Sequence, residues 1–138
     1  MSHTCVFCNI ISADEPAIRV FETETVLAFL DARPVSRGHT LVVPKRHATN
    51  LDGLENHEGA EMFRVGTLIA GALRRCDIAA DGVNILVNDG RAAGQTVFHS
   101  HLHVVPRHSG DKAKFAAGLL ARRAVELEEA GASIRSQL

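Results

Sequence analysis

His99-Ser100-His101-Leu102-His103-Val104-Val105-Pro106-Arg107 places three of the chain's eight histidines at a spacing of two. Alternate side chains of a β-strand point to opposite faces. On a strand, His99, His101 and His103 therefore share one face while Leu102 and Val104 turn toward a core. Same-face Cα atoms lie about 6.5–7 Å apart at strand rise, so neighbouring imidazoles can share one small ligand. Three half-titrating groups in line point to chemistry rather than packing. Two kinds of chemistry fit: nucleophilic or acid–base work on an anion, and metal ligation.

The segment feeding this stretch, Asn88-Asp89-Gly90-Arg91-Ala92-Ala93-Gly94-Gln95-Thr96, is polar and carries glycines. Such loops offer backbone N–H groups and short polar side chains to an anion. Arg107 adds a cation, and no acidic residue neighbours the histidines in sequence. A zinc-bound water at the triad would need second-shell carboxylates or carbonyls, so an anion site is favoured.

Further upstream, Val83 to Val87 reads as a strand after the Asp81-Gly82 turn. From about His57 to Cys76, Met62, Val65, Ile69, Ala72 and Cys76 recur at three and four, the stripe of an amphipathic helix, which Phe63, Ala70 and Leu73 widen. Gly59, Gly66 and Gly71 weaken such a helix by up to ~1 kcal/mol each, which suggests close packing on a sheet. Ala17 to Phe21 and Thr25 to Leu30 read as strands joined through Glu22-Thr23-Glu24. A loop marked by Pro34 and Gly38 leads to a strand from His39 to Val43, closed by Pro44 and followed by Lys45-Arg46-His47. After Arg107 a helix is expected from about Asp111 to Ala130. Phe115, Leu119, Leu120 and Val125 would face the sheet, with Arg122, Arg123, Glu126, Glu128 and Glu129 on a solvated face.

Strands, helix, strands, helix with short connections argue for an α+β fold: an antiparallel sheet of about five strands, a long central helix and a C-terminal helix. The 138 residues suit a single domain, with the motifs between about residues 5 and 107 and a helical segment near 111–130. A hydrophobic share of 46% with a net charge of −1 gives no footprint for nucleic acid or a membrane surface. There is no long apolar run, and the polar start from Ser2 to Thr4 lacks the layout of a signal peptide. Three cysteines make no disulfide framework, and a cytoplasmic home is expected. Cys5-Val6-Phe7-Cys8 has metal-ligand spacing, yet a lone C-x-x-C equally suits a redox pair or chance.

The triad stretch resembles the His-φ-His-φ-His-φ-φ signature of the histidine-triad family, with Ser100 a polar choice at one φ position. Gly38-His39-Thr40-Leu41-Val42-Val43-Pro44-Lys45-Arg46-His47 resembles that family's other histidine-bearing strand. Ala28-Phe29-Leu30-Asp31 resembles its ribose-contacting segment, and Asn88 through Val97 its phosphate loop. The resemblance implies a nucleotide hydrolase or transferase acting at the α-phosphorus of a purine nucleotide such as an AMP conjugate, through a nucleotidyl-histidine on His101. His39 and His103 match supporting positions, Asp31 the ribose acceptor, and Asn88, Gln95 and Thr96 the phosphate contacts. Phe7, Ile10 and Phe29 would wall the base pocket, though each suits plain core as well. The resemblance also implies a homodimer. In some bacterial-type members it further implies a structural zinc, for which Cys5, Cys8, His47 and His99 are the matching residues. Phosphoramidates, acyl adenylates and dinucleoside polyphosphates are the candidate substrates, and the likeness of Asp31 and of the segment ending in His47 leans toward the phosphoramidase-like branch. A metal-dependent hydrolase and a low-turnover nucleotide-binding module are the alternatives.

Overall fold

The computed structural model describes residues 4–138; the polar start at Ser2 and His3 lies outside the described residues. A short helix α1 (Val6–Ile11) precedes strands β1 (Arg19–Glu22), β2 (Val26–Leu30) and β3 (Thr40–Pro44). Helix α2 (Asn56–Arg75), strands β4 (Gly82–Val87) and β5 (Leu102–Arg107), and helices α3 (Lys112–Leu120) and α4 (Leu127–Arg135) follow. The five strands form one antiparallel sheet in the order β1-β2-β3-β5-β4.

Period-two patterning divides the sheet's side chains. Val26, Ala28, Leu30, Val42, Leu102 and Val104 pack with Met62, Val65, Ile69 and Leu73 of α2 and with Ala130 and Ile134 of α4. Leu27, Phe29, Leu41 and Val43 point the other way and close over Phe7 and Ile10 of α1. Both β2 and β3 are buried along their whole length, which is why they read as continuous apolar runs rather than clean alternation. His103 pairs with Leu41, so it lies on the α1 side of the sheet.

Helix α2 starts in a reciprocal capping box between Glu55 and Glu58. Arg46 adds bonds to the buried Glu58 carboxylate, tying the segment after β3 to the helix start. Of the three glycines in α2, only Gly66 approaches the sheet. A Cβ there would sit 3.1 Å from Leu102, whereas Gly59 faces open space and Gly71 meets only the Arg75 side chain. Phe63 does not widen the buried stripe: it is 56% exposed, one position off the Met62–Val65–Ile69 line.

Two other expectations change. The histidine strand begins only at Leu102, leaving His99 and His101 in its lead-in. The β3–β5 register would carry on to Pro44 opposite Ser100, and Pro44 has no N–H with which to continue the ladder. Ser100 N–H instead donates to the Ala48 carbonyl at 2.6 Å.

The C-terminal helix is not continuous from 111 to 130. It breaks into α3 and α4 around an irregular segment, residues 121–126, where Glu126 takes a left-handed φ of 47°. Leu119, Leu120 and Val125 are exposed rather than packed on the sheet. Phe115 lies under the Arg107 guanidinium at 3.8 Å. The core-facing set is Leu127, Ala130, Gly131 and Ile134, whose i, i+3, i+4, i+7 spacing is the true amphipathic stripe.

Candidate functional site

The histidine-bearing segments converge on the α1 side of the sheet, and carbonyl contacts assign their tautomers. His101 Nδ1 lies 2.7 Å from the His99 carbonyl. A carbonyl only accepts, so Nδ1 carries the proton and Nε2 keeps its lone pair. The Val35 N–H donates to His39 Nδ1 at 3.0 Å, which leaves the His39 proton on Nε2. That proton points at His103 Nδ1, 2.9 Å away. His103 is thereby protonated on Nε2, a buried donor that meets no partner among the described residues. A run of backbone N–H, imidazole and imidazole thus ends in one free N–H beside a ring with a free lone pair; the His101 and His103 centroids are 4.9 Å apart.

Burial holds all these rings neutral. It pushes His39 down to about 3 and His103 to about 4, with neighbouring His and Arg122 adding to both. His101 is lowered by burial as well, partly offset by its bond to the His99 carbonyl. Both His39 and His103 fall below the ordinary 6.5, so the unfolded chain binds more protons between pH 6.5 and about 4. Stability is full above pH 6.5 and falls as pH drops through that window. Urea midpoints measured from pH 7 to 4 should show this slope, and His39→Gln should reduce it.

A cavity of about 900 Å³ opens over His101 and His103. Phe7, Ile10, Phe29 and Leu41 form its apolar wall, while Asp31, Asn88 and Thr96 place polar groups in it. Phe7 meets His101 edge-on at 5.0 Å and Phe29 at 5.5 Å. Asp31 sits at the end of β2. Its Oδ1 accepts from the Arg33 N–H at 2.9 Å, and its Oδ2 lies 3.7 Å from His39 Nε2. Burial raises its pKa, against the lowering effect of that backbone bond and of Arg122. A carboxylate therefore stands beside the histidines after all, brought from a distant part of the chain.

Gln95 does not reach the cavity. Its Oε1 accepts from the Gly90 N–H at 2.8 Å, and its Nε2 donates to the carbonyls of Thr49 (2.8 Å) and Val97 (3.0 Å). It clamps the loop that presents Asn88 and Thr96. Arg122, in contrast, enters the cavity wall and lies 3.6 Å from Asp31 Oδ2. Sequence reasoning assigned it to a solvated face, because nothing local distinguishes an arginine in an irregular segment from one on a helix exterior.

His99 turns away from the other two. Its Nε2 donates to the Pro44 carbonyl at 2.8 Å, leaving the Nδ1 lone pair to face Cys5 Sγ at 3.3 Å, Cys8 Sγ at 3.5 Å and His47 Nδ1 at 3.2 Å. Cys8 Sγ is also 3.3 Å from His47 Nδ1. Four donors at zinc–ligand lengths of about 2.0–2.3 Å in a tetrahedron stand about 3.3–3.8 Å apart. Three of these spacings, 3.2–3.3 Å, lie at or just under the short end of that range, and the fourth, 3.5 Å, lies within it. Two sulfurs and two imidazoles, one with its tautomer set by a carbonyl, suit a closed structural zinc site. The three triad histidines therefore do not converge on one point.

A family model described as the HIT domain matches residues 12–110. A HIT-like protein of Mycobacterium tuberculosis is 48% identical over 134 residues, 97% of this chain and 92% of its own. The adenylylsulfatase HINT3 of Arabidopsis thaliana is 35% identical over 136 residues, 99% of this chain and 68% of its own. A zinc-bound histidine triad family protein from Mycobacterium smegmatis superposes with a TM-score of 0.89 at 51% identity, covering 97% of this chain and 92% of that one. With the fold, the family match and these relatives in agreement, the chain belongs to the histidine-triad (HIT) family of nucleotide-binding proteins and hydrolases.

Proposed function

We propose that this protein is a nucleotide hydrolase or transferase that cleaves adenylyl conjugates at the α-phosphorus through a covalent nucleotidyl-His101. One observation carries the reading: the His101 Nε2 lone pair lies beside the unpartnered Nε2–H of His103. In the first step His101 Nε2 bonds to phosphorus, and the bond from phosphorus to the leaving group breaks, the leaving group taking the electron pair. In the second, water adds to phosphorus, the P–N bond breaks, its electron pair returns to Nε2, and the water's proton is released. Splitting the displacement in this way replaces one difficult step with two easier ones.

His103 Nε2–H donates to a phosphoryl oxygen as charge grows there, a preorganised donor that needs no reorientation during the reaction. His39 acts through His103, holding its tautomer. Asp31 accepts the ribose hydroxyls, Asn88 and Thr96 hold the phosphate, and Phe7, Ile10 and Phe29 enclose a purine. Gln95 serves this site by shaping the loop. A zinc held by Cys5, Cys8, His47 and His99 anchors α1, and with it Phe7, against the lead-in to β5. Cysteines with no disulfide among the described residues suit a cytoplasmic protein. The outer edge of β4, with Leu86 40% exposed, is where a second copy would extend the sheet into a homodimer; light scattering should give twice the chain mass.

The reading is tested by incubating the protein with an adenylyl conjugate labelled at the α-phosphate and quenching in base. Acid-labile, base-stable label on the chain is expected. Turnover without any such label would sink the covalent mechanism.

A further inference from the structure

A second cavity, of about 670 Å³, lies outside the histidine site, between α3, the 121–126 segment and the loop that leads into β3. Val35, Ile78, Phe115, Ala117 and Val125 give it apolar walls. Its three carboxylates are already paired: Asp111 with Arg107 and the His108 N–H, Asp77 and Glu126 with Arg37. Lys114 and Arg123 also line it, and neither makes an ion pair or hydrogen bond among the described residues. An apolar cleft whose acids are paired and whose cations are not is complementary to an anion with an apolar body. One wall of the cavity also carries the group on which the histidines depend. The Val35 N–H donates to His39 Nδ1 at 3.0 Å, the bond that sets the His39 tautomer and through it that of His103. The carbonyl of the same residue carries α3: a Cβ at Gly118 would overlap the Val35 oxygen, so the helix sits there only because it has glycine at that position. Helix α3 has little else to hold it, for none of its residues is buried.

We propose that this cavity is an effector site for a small amphipathic anion, a carboxylate on an apolar tail, whose binding holds α3 against Val35 and so steadies the His39–His103 pair. The tail fills the apolar space between α3 and the loop carrying Val35, and the head meets Lys114 and Arg123, both exposed at the rim. A ligand that touches both walls binds the arrangement in which α3 is seated and not one in which it has lifted away. It therefore shifts that equilibrium by its own affinity. The consequence for turnover rests on the hydrolase reading above; the consequence for the Val35 N–H does not.

The test is an amide NMR titration of the whole protein with octanoate, and with octanol and inorganic phosphate as the tail and the head alone. Octanoate should give saturable shifts at Val35, Ile78 and Gly118, and should bind at least about 10-fold tighter than either half. The double variant Lys114→Ala, Arg123→Ala removes two exposed, unpaired side chains and should unfold at the wild-type temperature. In it octanoate should bind no tighter than octanol. With octanoate at about ten times its Kd, hydrogen exchange of the Val35 amide should slow by about 10-fold, as expected for a ligand that binds only the seated form. Equal affinity for octanoate and either half, or shifts confined to the amides around Phe7 and His101, overturns the proposal. So does saturable binding that leaves Val35 exchange unchanged, because the cavity would then have no hold on the histidines. A protein that binds octanoate and protects Val35, yet never acquires label on His101, upholds the effector site and refutes only the covalent chemistry, so the two failures are separable.

Discussion

His101→Ala is expected to lower kcat/KM on an adenylyl conjugate by ~10⁴-fold or more, with no label retained on the chain. The size follows from what is lost. The ring supplies the attacking lone pair, and no other described side chain offers a neutral nitrogen in the cavity with its far nitrogen tied to a carbonyl. Water attacking directly would have to do in one step what the histidine does in two. The fold should survive, because among the described residues the ring's hydrogen bond is to the backbone two residues away. Unchanged thermal unfolding alongside lost turnover would locate the defect in chemistry. His103→Ala should be milder, because it removes a donor to the phosphoryl group and leaves the nucleophile. A His101→Ala variant that turns over within tenfold of wild type would refute the covalent mechanism.

The second large effect concerns stability. Purified wild type should carry about one zinc per chain, and Cys8→Ser should lose it. Loss of the ion should destabilise the fold by about 3–5 kcal/mol, lowering Tm by about 10–15 °C. The four donors come from the start of the chain, the segment after β3 and the lead-in to β5, so the ion would tie three distant pieces together. Helix α1 is only six residues long and cannot be stable by itself. Its remaining support is Phe7 and Ile10 against Leu27, Phe29, Leu41 and Val43. Removal of the ion should reduce activity only as the protein unfolds. A prompt loss of activity on chelation, with Tm unchanged, would instead place the metal in the reaction.

Much of the site was legible because the relevant residues advertise themselves locally. Three histidines at spacing two are a pattern that packing alone does not produce, while the lone C-x-x-C and the Pro-Lys-x-His segment took their meaning from the family likeness. The strands β2 to β4 and helix α2 were readable within about one residue, since period two and period 3.6 are imposed by burial on one face. The C-terminal region was misread for the same physical reason. Phe115, Leu119 and Leu120 mimic a helical stripe, but the residues that reach the core are Ala130 and Ile134, the first of them small enough to be overlooked. Gln95 and Arg122 sit where local sequence gave no sign of them, the first off the cavity and the second in its wall. A buried glutamine spent on three backbone bonds looks no different in sequence from one that binds a ligand.

The division of labour among the histidines shows where the boundary falls. Their order, spacing and family likeness belong to the chain, because covalent connectivity and the two-residue repeat need no knowledge of neighbours. That His99 turns to two sulfurs, that His101 keeps its lone pair, and that His103 ends a donor run begun at Val35 belong to the fold. Each of those outcomes depends on a partner at least thirty residues away, or on a backbone carbonyl whose direction is set by how β5 is entered. A hydrogen bond assigns a tautomer only once its acceptor has been brought within about 3 Å, and no local pattern in the sequence carries that distance.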